Sequence, residues 1–106
     1  MKKVLLILGS LMLVSAAAHA DMPTVTDANG VVYKLVNKDF TTGQIYSSAN
    51  GFCTLAGYAY PTYWESTLDD PGPFAILDAQ GNLVQTFPDA GNENRFEVII
   101  DIGCSN

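Results

Sequence analysis

The stretch Arg95-Phe96-Glu97-Val98-Ile99-Ile100-Asp101-Ile102-Gly103-Cys104 decides the fold. In an extended chain Phe96, Val98, Ile100 and Ile102 fall on one face, and Glu97, Ile99 and Asp101 on the other. This alternation predicts a half-buried β-strand near the end of the chain. Cys104 continues the inward parity of Phe96, so its sulfur is aimed at the core.

A second cysteine lies upstream in Ser48-Ala49-Asn50-Gly51-Phe52-Cys53-Thr54-Leu55-Ala56-Gly57-Tyr58. Ala49, Phe52, Cys53 and Ala56 stand at helical spacing and form one apolar stripe. Ser47 or Ser48 can cap the helix by accepting a backbone N–H bond. Gly57 suits the left-handed residue that ends it. Gly51 opposes it, at a cost of ~1 kcal/mol relative to alanine. Two separate periodicities thus point Cys53 and Cys104 into one interior and predict a bond between them. Closing a loop of about 50 residues stabilises a fold by ~4 kcal/mol on the chain-entropy model.

Between these elements, Asp27-Ala28-Asn29-Gly30 and Asp78-Ala79-Gln80-Gly81 each precede a β-prone run. Aspartate can bond its own backbone two residues on, and glycine supplies the positive φ a hairpin turn needs. Val31, Tyr33 and Leu35 share a face of the first hairpin. Phe74, Ile76, Leu83, Val84 and Phe87 supply the second. The expected class is α+β: a small, mainly antiparallel, twisted sheet with one short helix stapled to the last strand by a disulfide.

The N-terminus sets the compartment. Met1-Lys2-Lys3 is positive, Val4 to Val14 is apolar, and Ser15 to Ala20 is small and ends in Ala18-His19-Ala20. This is the pattern of a cleavable export signal over residues 1–20. The apolar run is about 11 residues, short of the ~20 that span a bilayer, so no membrane anchor is expected after cleavage. Residues 21–106 then form a single domain. Removal of Lys2 and Lys3 leaves three basic residues, Lys34, Lys38 and Arg95, against all eleven acids, a net charge of −8. That field disfavours nucleic acid, whose binding relies on Lys and Arg. An even cysteine count in a short exported chain reads as a disulfide. The expected location is periplasmic or secreted.

The segment Ser48 to Tyr58 also resembles the helix of scavenger-receptor cysteine-rich domains. There a small-residue helix carries a cysteine and ends in a Leu-x-Gly-aromatic pattern. The resemblance covers about a quarter of the exported chain, and Ile102-Gly103-Cys104-Ser105 matches the family's C-terminal cysteine. It implies a helical cysteine bonded to the last strand, a curved sheet cradling one helix, and ligand binding without catalysis. The family's other cysteines have no counterpart here, nor does its Trp-Gly-x-Val-Cys segment in Asn37 to Tyr46.

The usual catalytic groups are missing. With the signal cut after Ala20, the only histidine, His19, leaves with it. That removes imidazole-activated nucleophiles and the commonest zinc ligand. Bonded cysteines offer no thiolate. No phosphate-cradling loop or zinc spacing is present. Asp69 and Asp70, or Asp89-Ala90-Gly91-Asn92-Glu93-Asn94, could offer oxygen ligands to calcium. Neither has the spacing of a dedicated loop, and both read as polar turns. No cofactor and no metal are expected. Paired carboxylates would serve a small hydrolase, the least favoured reading.

The functional reading rests on Tyr58-Ala59-Tyr60-Pro61-Thr62-Tyr63-Trp64, which holds four of the eleven aromatics. If extended, Tyr58, Tyr60 and Trp64 share a face and Tyr63 takes the other. Pro61 confines the run to an edge strand or a loop. Tyr and Trp suit protein or sugar surfaces. Tyr58, Tyr60, Tyr63 and Trp64, rimmed by Glu65, Asp69 and Asp70, are the expected recognition patch of a non-enzymatic module. Its ligand would be a protein or glycan of the cell envelope or exterior. The alternative is an acidic inhibitor of a cationic exported enzyme, steered by charge.

Overall fold

The computed structural model describes residues 18–88 and 91–106. Most of the export signal expected over residues 1–20, and Asp89, lie outside the described residues. The strands are β1 (His19–Asp21), β2 (Thr24–Thr26), β3 (Val32–Asp39), β4 (Gln44–Ile45), β5 (Tyr60–Thr67), β6 (Phe74–Leu77), β7 (Leu83–Phe87) and β8 (Phe96–Ser105). One helix, α1 (Ser48–Leu55), falls between β4 and β5.

Both Asp-Ala-x-Gly segments make the expected turns. Asp27 Oδ1 accepts the N–H groups of Asn29 and Val31, and Asp78 Oδ1 accepts those of Gln80 and Asn82. Gly30 and Gly81 take positive φ, as the turn chemistry requires. These turns close the hairpins β2–β3 and β6–β7. They join through a parallel pairing of β3 with β6, Lys34 opposite Phe74. The sheet is therefore mixed, with its other pairings antiparallel. The first half of β3 lies between β2 and β6, and its second half between β4 and β8. With both faces covered, β3 buries Tyr33, Leu35 and Val36. In the second hairpin Phe74 and Ile76 are buried, but Val84 is exposed.

The helix buries its expected stripe, Ala49, Phe52, Cys53 and Ala56. Its C-terminus closes with Gly57 N–H donating to Thr54 and Tyr58 N–H to Cys53, satisfying carbonyls the helix leaves open. Its N-terminus departs from expectation. Ser47 is the cap residue but makes no side-chain capping bond. The hydroxyl of Ser48 instead accepts the N–H of Leu77 at 3.0 Å, which ties the helix to β6. Gly51 has a packing reason. A methyl group there would strike the carbonyl of Asp78 and come within 2.8 Å of Leu77 Cβ. The β6–β7 turn thus approaches the helix backbone directly.

Cys53 and Cys104 are bonded, with Cα atoms 5.6 Å apart. Both sit in a cluster with Ala20, Val25, Tyr33, Leu35, Ala49, Phe52, Ala75, Leu77, Ile99 and Ile102. Val36, Phe74, Ile76, Phe96 and Val98 form a second cluster. The last strand therefore corrects the simple alternation. Ser66 pairs with Ile99 and Glu65 with Asp101, so Ile100 is an extra residue on β8. Such a bulge reverses the facing of the residues beyond it. Phe96 and Val98 serve the second cluster, while Ile99, Ile102 and Cys104 serve the helix side. Ile100, expected inward, is half-buried.

Among the described residues no helix is long and apolar enough to cross a membrane. The disulfide is compatible with an oxidising, exported location.

Candidate functional site

β5 pairs only with β8 among the described strands, so it is an edge strand, as Pro61 requires. Its pairing shifts between Pro61 and Tyr63, where Thr62 is the extra residue. This bulge overturns the expected facing of the aromatics. Tyr60 lies opposite Ser105 and Tyr63 opposite Gly103, positions of like parity on β8, so those two share a face. Trp64 lies opposite Ile102 and takes the other face. Tyr60, Tyr63 and Trp64 are exposed by 48%, 43% and 40%. Tyr58 is half-buried and packs against the disulfide-containing cluster. The aromatic run thus splits into an anchor, Tyr58, and three exposed rings that straddle a strand edge.

Tyr63 owes its pose to Gly103. A Cβ at Gly103 would strike the Tyr63 ring and come within 2.9 Å of Thr62 Oγ1. The ring therefore lies over bare backbone. On the far side of β8, His19 pairs with Gly103, and its imidazole stacks on the Tyr63 ring at 6.5 Å between centroids. One step along, Asp101 is flanked by Asp21 of β1 and Glu65 of β5. Directly opposed residues point to the same side of a sheet. His19–Gly103–Tyr63 and Asp21–Asp101–Glu65 thus form two adjacent rows on one face. Tyr63 O–H donates to Asp101 Oδ2 at 3.4 Å. Burial and the neighbouring Asp101 carboxylate raise the Tyr63 phenol above its ordinary pKa.

Of the expected rim, only Glu65 belongs to this cluster. Asp69 and Asp70 lie in the loop after β5, where Asp69 N–H donates to Thr67 Oγ1. The second calcium candidate is turned to structural use. Asn92 is buried, and its amide exchanges two hydrogen bonds with the backbone of Phe96.

His19 was not among the expected site residues because the cleavage pattern assigns it to the leader, and Asp21, the first residue after that cut, was not singled out. The polar-small-polar alternation His19-Ala20-Asp21 was the available signal for a short strand. Gly103 carried no signal, since its role depends on a ring from another strand. No protein-family model, no curated protein and no solved structure matches this chain.

Proposed function

We propose that the chain is a small exported binding module, periplasmic or secreted, acting without catalysis. Its recognition surface is the outer edge of β5, with Tyr60 and Tyr63 on one face and Trp64 on the other. The observation that carries this reading is the exposure of three large aromatics on one edge strand. Exposed apolar surface of this kind is costly unless something covers it, and Tyr and Trp dominate binding energy where they are desolvated. The free strand edge between the rings suits an extended ligand, which can add backbone hydrogen bonds as a further strand. A protein segment of the envelope or exterior fits best, and a glycan could stack on the same rings.

The test is affinity capture from envelope and culture extracts on the disulfide-intact protein, followed by titration of the purified partner. Trp64→Ala and Tyr63→Ala should each weaken binding about 30-fold, a loss of ~2 kcal/mol. Circular dichroism should be unchanged. Loss of the folded spectrum would assign the rings to stability instead.

A second reading, an inhibitor of a cationic exported enzyme, is favoured by eleven acids against five basic residues over the whole chain. It requires an association rate that falls steeply with salt. Binding insensitive to salt removes it.

A further inference from the structure

We infer that the outer edge of β5 takes a cationic peptide segment as an added antiparallel strand, with a basic side chain beside Glu65, an apolar one against Trp64 and a second basic one over the Tyr63 ring. The inference rests on the recognition edge proposed above and names the chemistry of its ligand.

The backbone argument begins with β8. Cys104 N–H donates to the Ala18 carbonyl at 2.7 Å, so Cys104 turns its N–H away from β5. The next carbonyl, that of Ser105, accepts the Ala59 N–H at 3.0 Å on the β5 side. In an antiparallel ladder the backbone groups of successive residues alternate between the two neighbours. Gly103 and Asp101 therefore face β5, where they pair with Tyr63 and Glu65. Trp64, opposite Ile102, turns its N–H and C=O outward. No second strand pairs with β5 among the described residues, so these groups lie on a free edge. An incoming strand exchanges two backbone bonds with Trp64 and sets its flanking residues beside Tyr63 and Glu65.

The side chains then choose the ligand. Tyr63 and Glu65 share the face of Asp101, while Trp64 takes the other. Residues of an added strand alternate in the same way, so two basic residues separated by an apolar one match the edge. Glu65 is exposed and engaged in no ion pair. Asp101 lies 2.7 Å from His19 Nε2 on the β1 side, so Glu65 is the carboxylate facing the free edge. A basic group beside it gains a charge-assisted hydrogen bond, and a guanidinium over the Tyr63 ring gains a cation–π contact. The chain has no cation of its own to spare for this edge among the described residues. Lys34 Nζ donates to the Pro71 carbonyl, Lys38 lies over the Phe40 ring, and Arg95 clamps Asp39. The formal net charge of the whole chain is −6, which repels a second copy and attracts a basic segment.

The probe is the end-capped peptide Thr-Val-Lys-Val-Arg-Val-Thr, titrated into the exported, disulfide-intact chain. Trp64 is the only tryptophan, so its fluorescence reads binding at the edge directly. Saturable binding that weakens with salt, and slowed hydrogen exchange at the Trp64 amide, are expected. Replacing both peptide cations with glutamate should weaken binding at least about tenfold, because like charges then face each other. Glu65→Lys should do the same to the cationic peptide, at unchanged circular dichroism. Moving the two cations to adjacent positions should also weaken binding, because one then falls on the Trp64 face. Equal binding of the glutamate peptide, parental affinity in Glu65→Lys, or a Trp64 amide left unprotected overturns the inference. So does a dimer that Trp64→Ala dissolves, which assigns the edge to a second copy. If the cationic peptide fails while Trp64-dependent capture from extracts persists, the ligand class is wrong and the binding module stands; failure of both removes both.

Discussion

At the scale of single residues, two interactions hold the fold in ways the composition does not show. Arg95 clamps Asp39 through two bonds, Nε to Oδ1 at 3.1 Å and Nη2 to Oδ2 at 2.9 Å. The Asp39 side chain is only 2% exposed, while the guanidinium also lies 4.6 Å from the Phe96 ring centre. Removing one partner strands a buried charge, which costs more than the intact pair contributes. Arg95→Ala should destabilise the protein by about 3 kcal/mol in urea denaturation. Gly51→Ala forces the β6–β7 turn off the helix and should cost ~1–3 kcal/mol, the range of overpacking. On a domain of this size each kcal/mol lowers Tm by ~4–8 °C, so thermal melting reads both. Neither Asp39 nor Gly51 announces its role in sequence. Gly51 looked like a flaw in a helix, and only the turn packed against it supplies the reason.

At the scale of elements, α1 and β8 carry the architecture. The bond between them closes a separation of 51 residues. Reduction, or Cys53→Ala with Cys104→Ala, should remove ~4 kcal/mol, against a typical net stability of 5–15 kcal/mol. The check is calorimetric melting with and without reductant, and a Tm unchanged by reduction would contradict it. The helix was legible because its stripe, end glycine and cysteine lie within a dozen residues. The strand β8 was legible as a strand but not in its facing. Its bulge at Ile100 divides one apolar run between two clusters. The edge position of β5 was legible from Pro61, but the bulge at Thr62 redistributed its aromatics.

At the scale of the whole molecule, several aspartates are held in their charged form by contacts that exist only when folded. The Arg95 guanidinium keeps Asp39 below the usual carboxylate range, helped by the Thr41 N–H. The Val31 N–H does the same for Asp27, with Tyr33 O–H adding to it. For Asp78, burial pushes upward but is outweighed by the amides of Asn82, Gln80 and Gly81. A carboxyl group whose pKa is depressed by folding stabilises the fold above its unfolded pKa and loses that contribution as pH falls through the folded value. Stability should therefore be flat near neutrality and drop below about pH 4. Asp39→Asn should lower neutral stability and flatten the acid limb. Melting temperature between pH 7 and pH 2 measures both.

The sequence by itself determined the α+β class, the helix, the two Asp-Ala-x-Gly hairpins and the partners in the disulfide. Each depends on residues close in the chain, where periodicity and turn chemistry act locally. Only the tertiary structure decided the parallel join of β3 to β6, the bulges at Thr62 and Ile100, and the meeting of His19, Asp21, Glu65, Tyr63 and Asp101 around Gly103. A bulge exists only relative to the strand opposite, and one extra residue reverses every side chain beyond it. Which face a residue takes is thus a property of the pairing, which no single segment contains.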